Sequence, residues 1–145
     1  MSQATSTEIV IDARPERVWA TLTDFERYGE WNPFIPRLEG AARVGARLDA
    51  HIRPAGRTAT RIRPVVTHAE PDRHLAWLGR IGIRGLYDGH HHFELDATDD
   101  GETRLRHWER FSGLLVRPVN RLLGDAVHDG FVAMNEALKE RVEAG

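Results

Sequence analysis

Alternating apolar and polar residues fill the middle of the chain, and this pattern constrains the fold more than any other feature of the sequence. Period-two segments recur over residues 35–112, with turn residues between them at short intervals. Strands joined by such short connections pair as an antiparallel meander, because parallel neighbours need long crossovers. The predicted strands cover 35–39, 47–53, 59–67, 74–79, 87–96 and 103–112.

Helical patterns flank this stretch on both sides. Before the N-terminal helices, the β-branched residues 9–11 predict a first strand. Pro15 suits the first turn of a helix whose apolar stripe includes Trp19, and a second short helix ends before Pro33. Near the C terminus, apolar residues recur at helical spacing over 118–143, which predicts one long helix.

The predicted order is therefore one strand, two short helices, six strands and one long helix, an α+β arrangement. A sheet of seven antiparallel strands cannot cover its inner face with so few helices unless it curves around the long one. A sheet curved in this way encloses a cavity beneath the helix. We expect residues 1–6 to form a flexible N-terminal tail and residues 7–145 to form one domain, because 145 residues support a single core.

Composition narrows the classes of function. Lys and Arg number 20 against 22 Asp and Glu, a balance that offers no bulk attraction to nucleic acid. The chain has no cysteine, which excludes disulfides, thiol nucleophiles and cysteine-based zinc sites. The first seven residues are polar and lack the apolar run of an export signal, so we expect a cytoplasmic protein.

Short motifs spread over nearly the whole chain carry a resemblance to a known family. They include PERVW at 15–19, LTDF at 22–25, WNPF at 31–34, GHHHFEL at 89–95 and GFVAMNEAL at 130–138. In order and spacing they resemble the START-like SRPBCC superfamily, which includes polyketide cyclases, dehydratases and proteins of the birch-pollen-allergen type. The resemblance implies a helix-grip fold and a deep, largely apolar pocket for lipids, polyketides and other hydrophobic molecules. It implies no single reaction, because the fold serves carriers, sensors and enzymes.

Two neighbouring strands are predicted to carry polar side chains into that pocket. His107 and Glu109 share one strand face, and the arginines that alternate with them belong in water, so this face points inward. If the turn at 99–101 closes a regular hairpin, Phe93 lies opposite His107 and His91 lies opposite Glu109. The sequence therefore predicts two histidines and a carboxyl group on an otherwise apolar wall.

Two roles for this cluster stay open. In the first, the cluster satisfies its own hydrogen bonds and holds the polar end of a small hydrophobic, lipid- or polyketide-like molecule without turnover. In the second, Glu109 and His107 or His91 are the catalytic acid and base of a cyclase or dehydratase that acts on an enolisable ketone. The predicted ligand-binding residues are Trp31, Phe34, Trp77, His91, Phe93, His107, Glu109, Phe111 and Met134.

The remaining histidines and glycines predict no second site. His90 and His92 share the outer strand face, but no third zinc ligand is placed by the sequence, so we expect a solvated polar face, no metal and no cofactor. The glycines at 79, 82 and 85 lie between antiparallel strands and lack the helix N-terminus that phosphate binding uses. They predict an apolar lip at the pocket mouth.

The lip leads to a third hypothesis, in which the protein touches a membrane or a partner through this loop. We do not expect membrane contact, and we do not expect nucleic acid as a partner, since acidic residues are interspersed with the arginines. The expected partner is a small hydrophobic ligand.

Overall fold

Strands dominate the middle of the chain, as the period-two pattern predicts, and helices lie at its two ends. The structure, a computed structural model, describes residues 2–145. Its strands are β1 (Ser2–Ile11), β2 (Arg37–Glu39), β3 (Asp49–Ile52), β4 (Thr60–Ile62), β5 (Val65–Glu70), β6 (His74–Ile81), β7 (Tyr87–Ala97) and β8 (Thr103–Ser112). Its helices are α1 (Pro15–Leu22), a 3-10 helix (Phe25–Glu30), α2 (Val116–Leu123) and α3 (Ala126–Ala144).

The strands form two antiparallel sheets, not the single seven-stranded sheet that the sequence predicts. One sheet has the order β1-β8-β7-β6-β5 and the other the order β2-β3-β4. The predicted strand at 59–67 is interrupted at Pro64, which has no N–H to donate to a ladder, so β4 pairs with β3 and β5 with β6. Backbone hydrogen bonds between residues 45–48 and 64–66 tie the two sheets together. The curved antiparallel layout of a helix-grip fold is confirmed.

The first strand begins earlier than predicted. Residues 2–6, which the sequence predicts as part of a flexible tail, form the first half of β1 and pair with β8. Met1 of that tail lies outside the described residues. The sequence did not predict this part of the strand, because its side chains are polar or small and show no alternation of apolar and polar residues.

The single C-terminal helix predicted over 118–143 is two helices. The residue after α2 is Gly124, whose φ of 58° lies outside the right-handed helical region, and α3 begins two residues later. The hydroxyl of Tyr87 donates to Asn120, and Asn120 donates to Gln3, which ties α2 to the edge of the sheet. Within residues 2–145, no helix combines the length and the apolar character needed to cross a membrane.

Two groups of buried apolar side chains form the core. The larger group lies between the inner face of the sheet, α1 and α3, and it includes Trp77 and Phe131. The smaller group consists of Tyr87, Phe111 and Val116 at the α2 end of the molecule. Val127 packs against both groups. Residues of both groups line the space between them, which is a cavity.

Candidate functional site

A cavity of about 310 Å³ lies between the sheet and the helices α2 and α3. Its walls are mainly apolar and come from both sheets. Five residues predicted to line a pocket do line it, namely Phe34, Trp77, His91, Glu109 and Phe111. The remaining lining residues are Ile52, Pro54, Arg57, Thr58, Thr60, Ile62, Gly79, Arg80, Ile81, Tyr87, Gly89, Val119, Leu123 and Val127.

Four residues of the predicted lining lie elsewhere. Phe93, His107 and Met134 are fully buried in the larger core, and Trp31 packs edge-on against Tyr28. Strand alternation identifies which face a residue occupies, but not the position along the strand at which space is left. His107 therefore faces inward as predicted, yet it is stacked beneath α3 and does not reach the cavity.

The helical wall of the cavity is formed by other residues than Met134, the helical residue predicted for it. Val119 and Leu123 lie four residues apart on one face of α2, and Val127 lies in the first turn of α3. The unpredicted Tyr87 enters from the opposite wall, at the start of β7.

The polar wall of the cavity is built on the predicted hairpin register, which the structure confirms. His91 lies opposite Glu109, and Phe93 lies opposite His107. Oε1 of Glu109 is 3.3 Å from Nδ1 of His91, and Nε2 of His91 is 2.7 Å from Nε2 of His107. Gly89 makes room for the carboxyl group, because a Cβ atom at that position would overlap Oε2 of Glu109.

This polar cluster continues into the core through two residues that were not predicted. Nδ1 of His107 is 2.8 Å from Oδ1 of Asn135 in α3. The side-chain amide of Asn135 donates to the hydroxyl oxygen of Thr7 in β1 at 2.8 Å. The hydroxyl of Thr7 in turn donates to the backbone carbonyl of His107 at 2.9 Å. The sequence feature that could have predicted these contacts is Asn135, a polar residue on the apolar face of the C-terminal helix, which needs a buried hydrogen-bond partner.

Burial determines the charge state of the cluster. Desolvation raises the pKa of Glu109 to about 8, so the carboxyl group is protonated at neutral pH. Desolvation, and next the charge of His90, lower the pKa of His91 to about 3. Desolvation also lowers the pKa of His107. The polar wall is therefore uncharged at neutral pH, which suits an apolar cavity.

A turn and a glycine hold the ring of Phe34, which stacks beside His91 in the cavity wall. Oδ1 of Asn32 accepts hydrogen bonds from the N–H groups of Phe34 and Ile35, which fixes the chain after the 3-10 helix. The ring of Phe34 then packs edge-on against Phe131. A Cβ atom at position 130 of α3 would lie 2.5 Å from this ring, so Gly130 provides the space that Phe34 occupies.

The outer face of the sheet carries a cluster of four histidines, His68, His74, His90 and His92. His92 is only 7 % exposed and stacks on Trp108 at 3.9 Å between ring centroids, and its Nδ1 is 3.0 Å from Nε2 of His74. The prediction that this face is solvated is therefore wrong for His92, because the ring of Trp108 covers its side chain. In residues 2–145, no group of three or more His, Asp or Glu side chains has a geometry that could hold a metal ion.

The histidines make the fold sensitive to acid. Five of them have a pKa below the value of 6.5 that they regain on unfolding, so the unfolded chain binds more protons between pH 6.5 and about 3. Their contribution to the free energy of unfolding is present above pH 6.5 and is lost as the pH falls. The five residues are His74, His90, His91, His92 and His107.

Glu109 has the opposite dependence. Its carboxyl group keeps a proton up to about pH 8 in the folded protein and only up to 4.5 in the unfolded chain, so stability falls as the pH rises between these values. Between pH 6.5 and 8 this carboxyl group alone lowers the free energy of unfolding by about 2 kcal/mol. The five histidines raise the free energy of unfolding as the pH rises through 6.5, so we expect the net maximum near pH 7.

Urea denaturation at a series of pH values measures this dependence. Between pH 6.5 and 8 Glu109→Gln should gain about 2 kcal/mol of stability relative to the wild type, because it lacks the titrating carboxyl group, while the decline in acid should remain. A difference in stability between the variant and the wild type that stays constant over this pH range would contradict the assignment to Glu109.

The fold and the cavity together define the class of protein: a START-like helix-grip protein with an apolar cavity under its C-terminal helices. Residues 2–143 match the family described as polyketide cyclase / dehydrase and lipid transport. The chain belongs to that family. A comparison with curated proteins finds no match.

Solved structures share the fold over almost the full length of the chain. A protein from Mesorhizobium loti is 23 % identical, with 98 % of each chain covered and a TM-score of 0.73. A START superfamily protein from Mycobacterium smegmatis is 20 % identical, with 97 % of each chain covered and a TM-score of 0.73. The Zhui aromatase/cyclase from Streptomyces sp. R1128 is 17 % identical over 99 % of this chain and 94 % of its own, with a TM-score of 0.76.

Proposed function

We propose that this protein binds a small, largely apolar molecule in the cavity, with the polar end of that molecule beside Glu109. One observation carries the proposal: the fold leaves about 310 Å³ of apolar-walled space between sheet and helices and aims a protonated carboxyl group into it. A cavity of this kind, with few convergent polar groups, is the usual form of a small-molecule site.

The chemistry of the walls supports an apolar ligand. Trp77, Phe111 and Val127 offer apolar surface, and burial of ligand surface against them contributes about 25 cal/mol per Å². Arg57 and Arg80 lie at the mouth, where Arg57 donates to a backbone carbonyl and Arg80 approaches Asp88. Both arginines therefore interact with other groups of the protein. The uncharged cluster at Glu109 is left to orient the ligand.

Calorimetric titration with naphthalene tests this proposal, since naphthalene has no polar group and reports on the apolar cavity alone. We expect saturable binding with a stoichiometry of one. Native mass spectrometry of the purified protein should in addition detect a copurified apolar compound that organic solvent extracts. Failure of both naphthalene and larger fused-ring hydrocarbons to bind would overturn the proposal.

A cyclase- or dehydratase-type reaction in the same cavity is the second candidate. The observation that favours it is the raised pKa of Glu109, about 8, next to the uncharged imidazole of His91. A carboxyl group with a pKa near the working pH is suited to transfer a proton to or from an enolisable ketone. The family description, and the aromatase/cyclase among the structural neighbours, are consistent with this chemistry.

Glu109→Gln separates the two candidates. If the protein is an enzyme, we expect the variant to lose at least ~100-fold in the turnover of β-ketone substrates, because the amide cannot transfer the proton. Steady-state assays beside calorimetric titration give both quantities, and Glu140→Gln, at an exposed position of α3, is the matched control. Parallel loss of turnover and binding would argue against a catalytic role for the carboxyl group.

A further inference from the structure

The hydrogen bonds behind Glu109 run in one direction, and a backbone carbonyl determines that direction. The carbonyl of His107 can only accept, so the hydroxyl of Thr7 must donate its one proton there. The oxygen of Thr7 therefore accepts from Asn135, which requires the amide nitrogen of Asn135 on that side. The amide oxygen is left facing His107.

These hydrogen bonds also determine the tautomers of both buried histidines. Nδ1 of His107 must carry a proton in order to donate to Asn135, so Nε2 of the uncharged ring is bare. Nε2 of His91, 2.7 Å away, must then carry a proton and donate to it. This leaves Nδ1 of His91 bare and facing the carboxyl group of Glu109.

The tautomer of His91 gives the two oxygens of Glu109 different roles. Oε1 faces the bare Nδ1 of His91 at 3.3 Å, and a hydrogen bond there requires the carboxyl proton to lie on Oε1. Oε2 is then the carbonyl-like oxygen, which only accepts. It has no hydrogen-bond partner among residues 2–145, it lies over Gly89, and the side chain is 15 % exposed in the wall of the cavity.

We infer that the cavity selects a ligand whose polar group is a neutral hydroxyl, of a phenol or an enol, which donates a hydrogen bond to Oε2 of Glu109. Thr7 and Asn135 act as positioning residues, because they set this preference through the two histidines without touching the ligand. A carboxylate or an ether oxygen would instead meet the lone pairs of Oε2. The inference rests on the proposed function and narrows it to a ligand class.

Three naphthalene derivatives of similar shape test the preference. 2-Naphthol can donate, 2-methoxynaphthalene can only accept, and naphthalene does neither. For the wild-type protein we expect calorimetry to give about tenfold tighter binding of 2-naphthol than of 2-methoxynaphthalene, the value of one well-placed hydrogen bond. Equal binding, or a preference for the ether, overturns the inference while leaving the proposed function in place. If naphthalene does not bind either, the proposed function itself fails.

Variants of Glu109 test which atom carries the preference. Glu109→Met should bind 2-naphthol and 2-methoxynaphthalene equally. Glu109→Gln should restore the preference, because its amide N–H can donate to Nδ1 of His91 and leave the amide oxygen facing the cavity. A Gln variant that behaves like the Met variant would overturn the assigned direction.

Nuclear magnetic resonance of ¹⁵N-histidine-labelled protein tests the direction without any substitution at the ligand. We expect His107 to be protonated at Nδ1 and His91 at Nε2, and the opposite tautomers would overturn the inference. Thr7→Val frees the amide of Asn135 to turn over, so the two tautomers of His107 should become mixed and the preference for 2-naphthol should fall. An unchanged preference in this variant would remove Thr7 as a positioning residue.

Discussion

Val127→Trp is expected to weaken naphthalene binding at least ~100-fold while leaving the protein folded. Val127 projects from α3 into the cavity and packs against both parts of the core. An indole at this position would occupy the space between Phe34 and Phe111 that a ligand needs. A 100-fold loss corresponds to ~2.7 kcal/mol of binding free energy, which calorimetry resolves readily.

The control for this variant is the same substitution at an exposed position. Val44 is 62 % exposed and does not line the cavity. Val44→Trp should bind naphthalene as the wild type does, and circular dichroism should report a cooperative melt for both variants. Undiminished binding by a folded Val127→Trp protein would place the ligand outside this cavity.

Gly130→Ala is expected to destabilise the protein by about 2 kcal/mol, although the same change at an open helical position stabilises a helix by ~1 kcal/mol. The reversal follows from Phe34, whose Cδ1 atom would lie 2.5 Å from the new methyl group. Phe34 is 2 % exposed, so its ring has no open space except the cavity. Urea denaturation measures the loss, and the displaced ring should also weaken ligand binding.

A double-mutant cycle with Phe34→Ala isolates the contact. If the methyl group acts through the ring, Gly130→Ala should cost at least ~2 kcal/mol less in the Phe34→Ala background than in the wild type. Additive effects of the two substitutions would show that the cost of Gly130→Ala arises elsewhere in α3.

Much of the fold follows from local patterns in the sequence. The turn at 99–101 determines the register of the β7–β8 hairpin, and that register alone places His91 opposite Glu109. The boundaries of β8 match the prediction, because alternating arginines mark its outer face. The polar side of the cavity was therefore predictable from one turn and one alternating strand.

What could not be predicted depends on contacts between distant parts of the chain. Thr7 and Asn135 are 128 residues apart and meet only because α3 packs on β1. His107 shares its strand face with Glu109, yet the depth at which the helix covers the sheet leaves one in the core and the other in the cavity. The break between α2 and α3 depends on the positive φ of Gly124, which the spacing of apolar residues does not predict.

A crystal structure of the protein with 2-naphthol tests the central claim most directly. We expect density for one naphthol between Trp77 and Val127, with its hydroxyl oxygen about 2.7 Å from Oε2 of Glu109. Crystals grown at saturating naphthol in which protein side chains fill this space, or in which the ligand lies only on the surface, would contradict it.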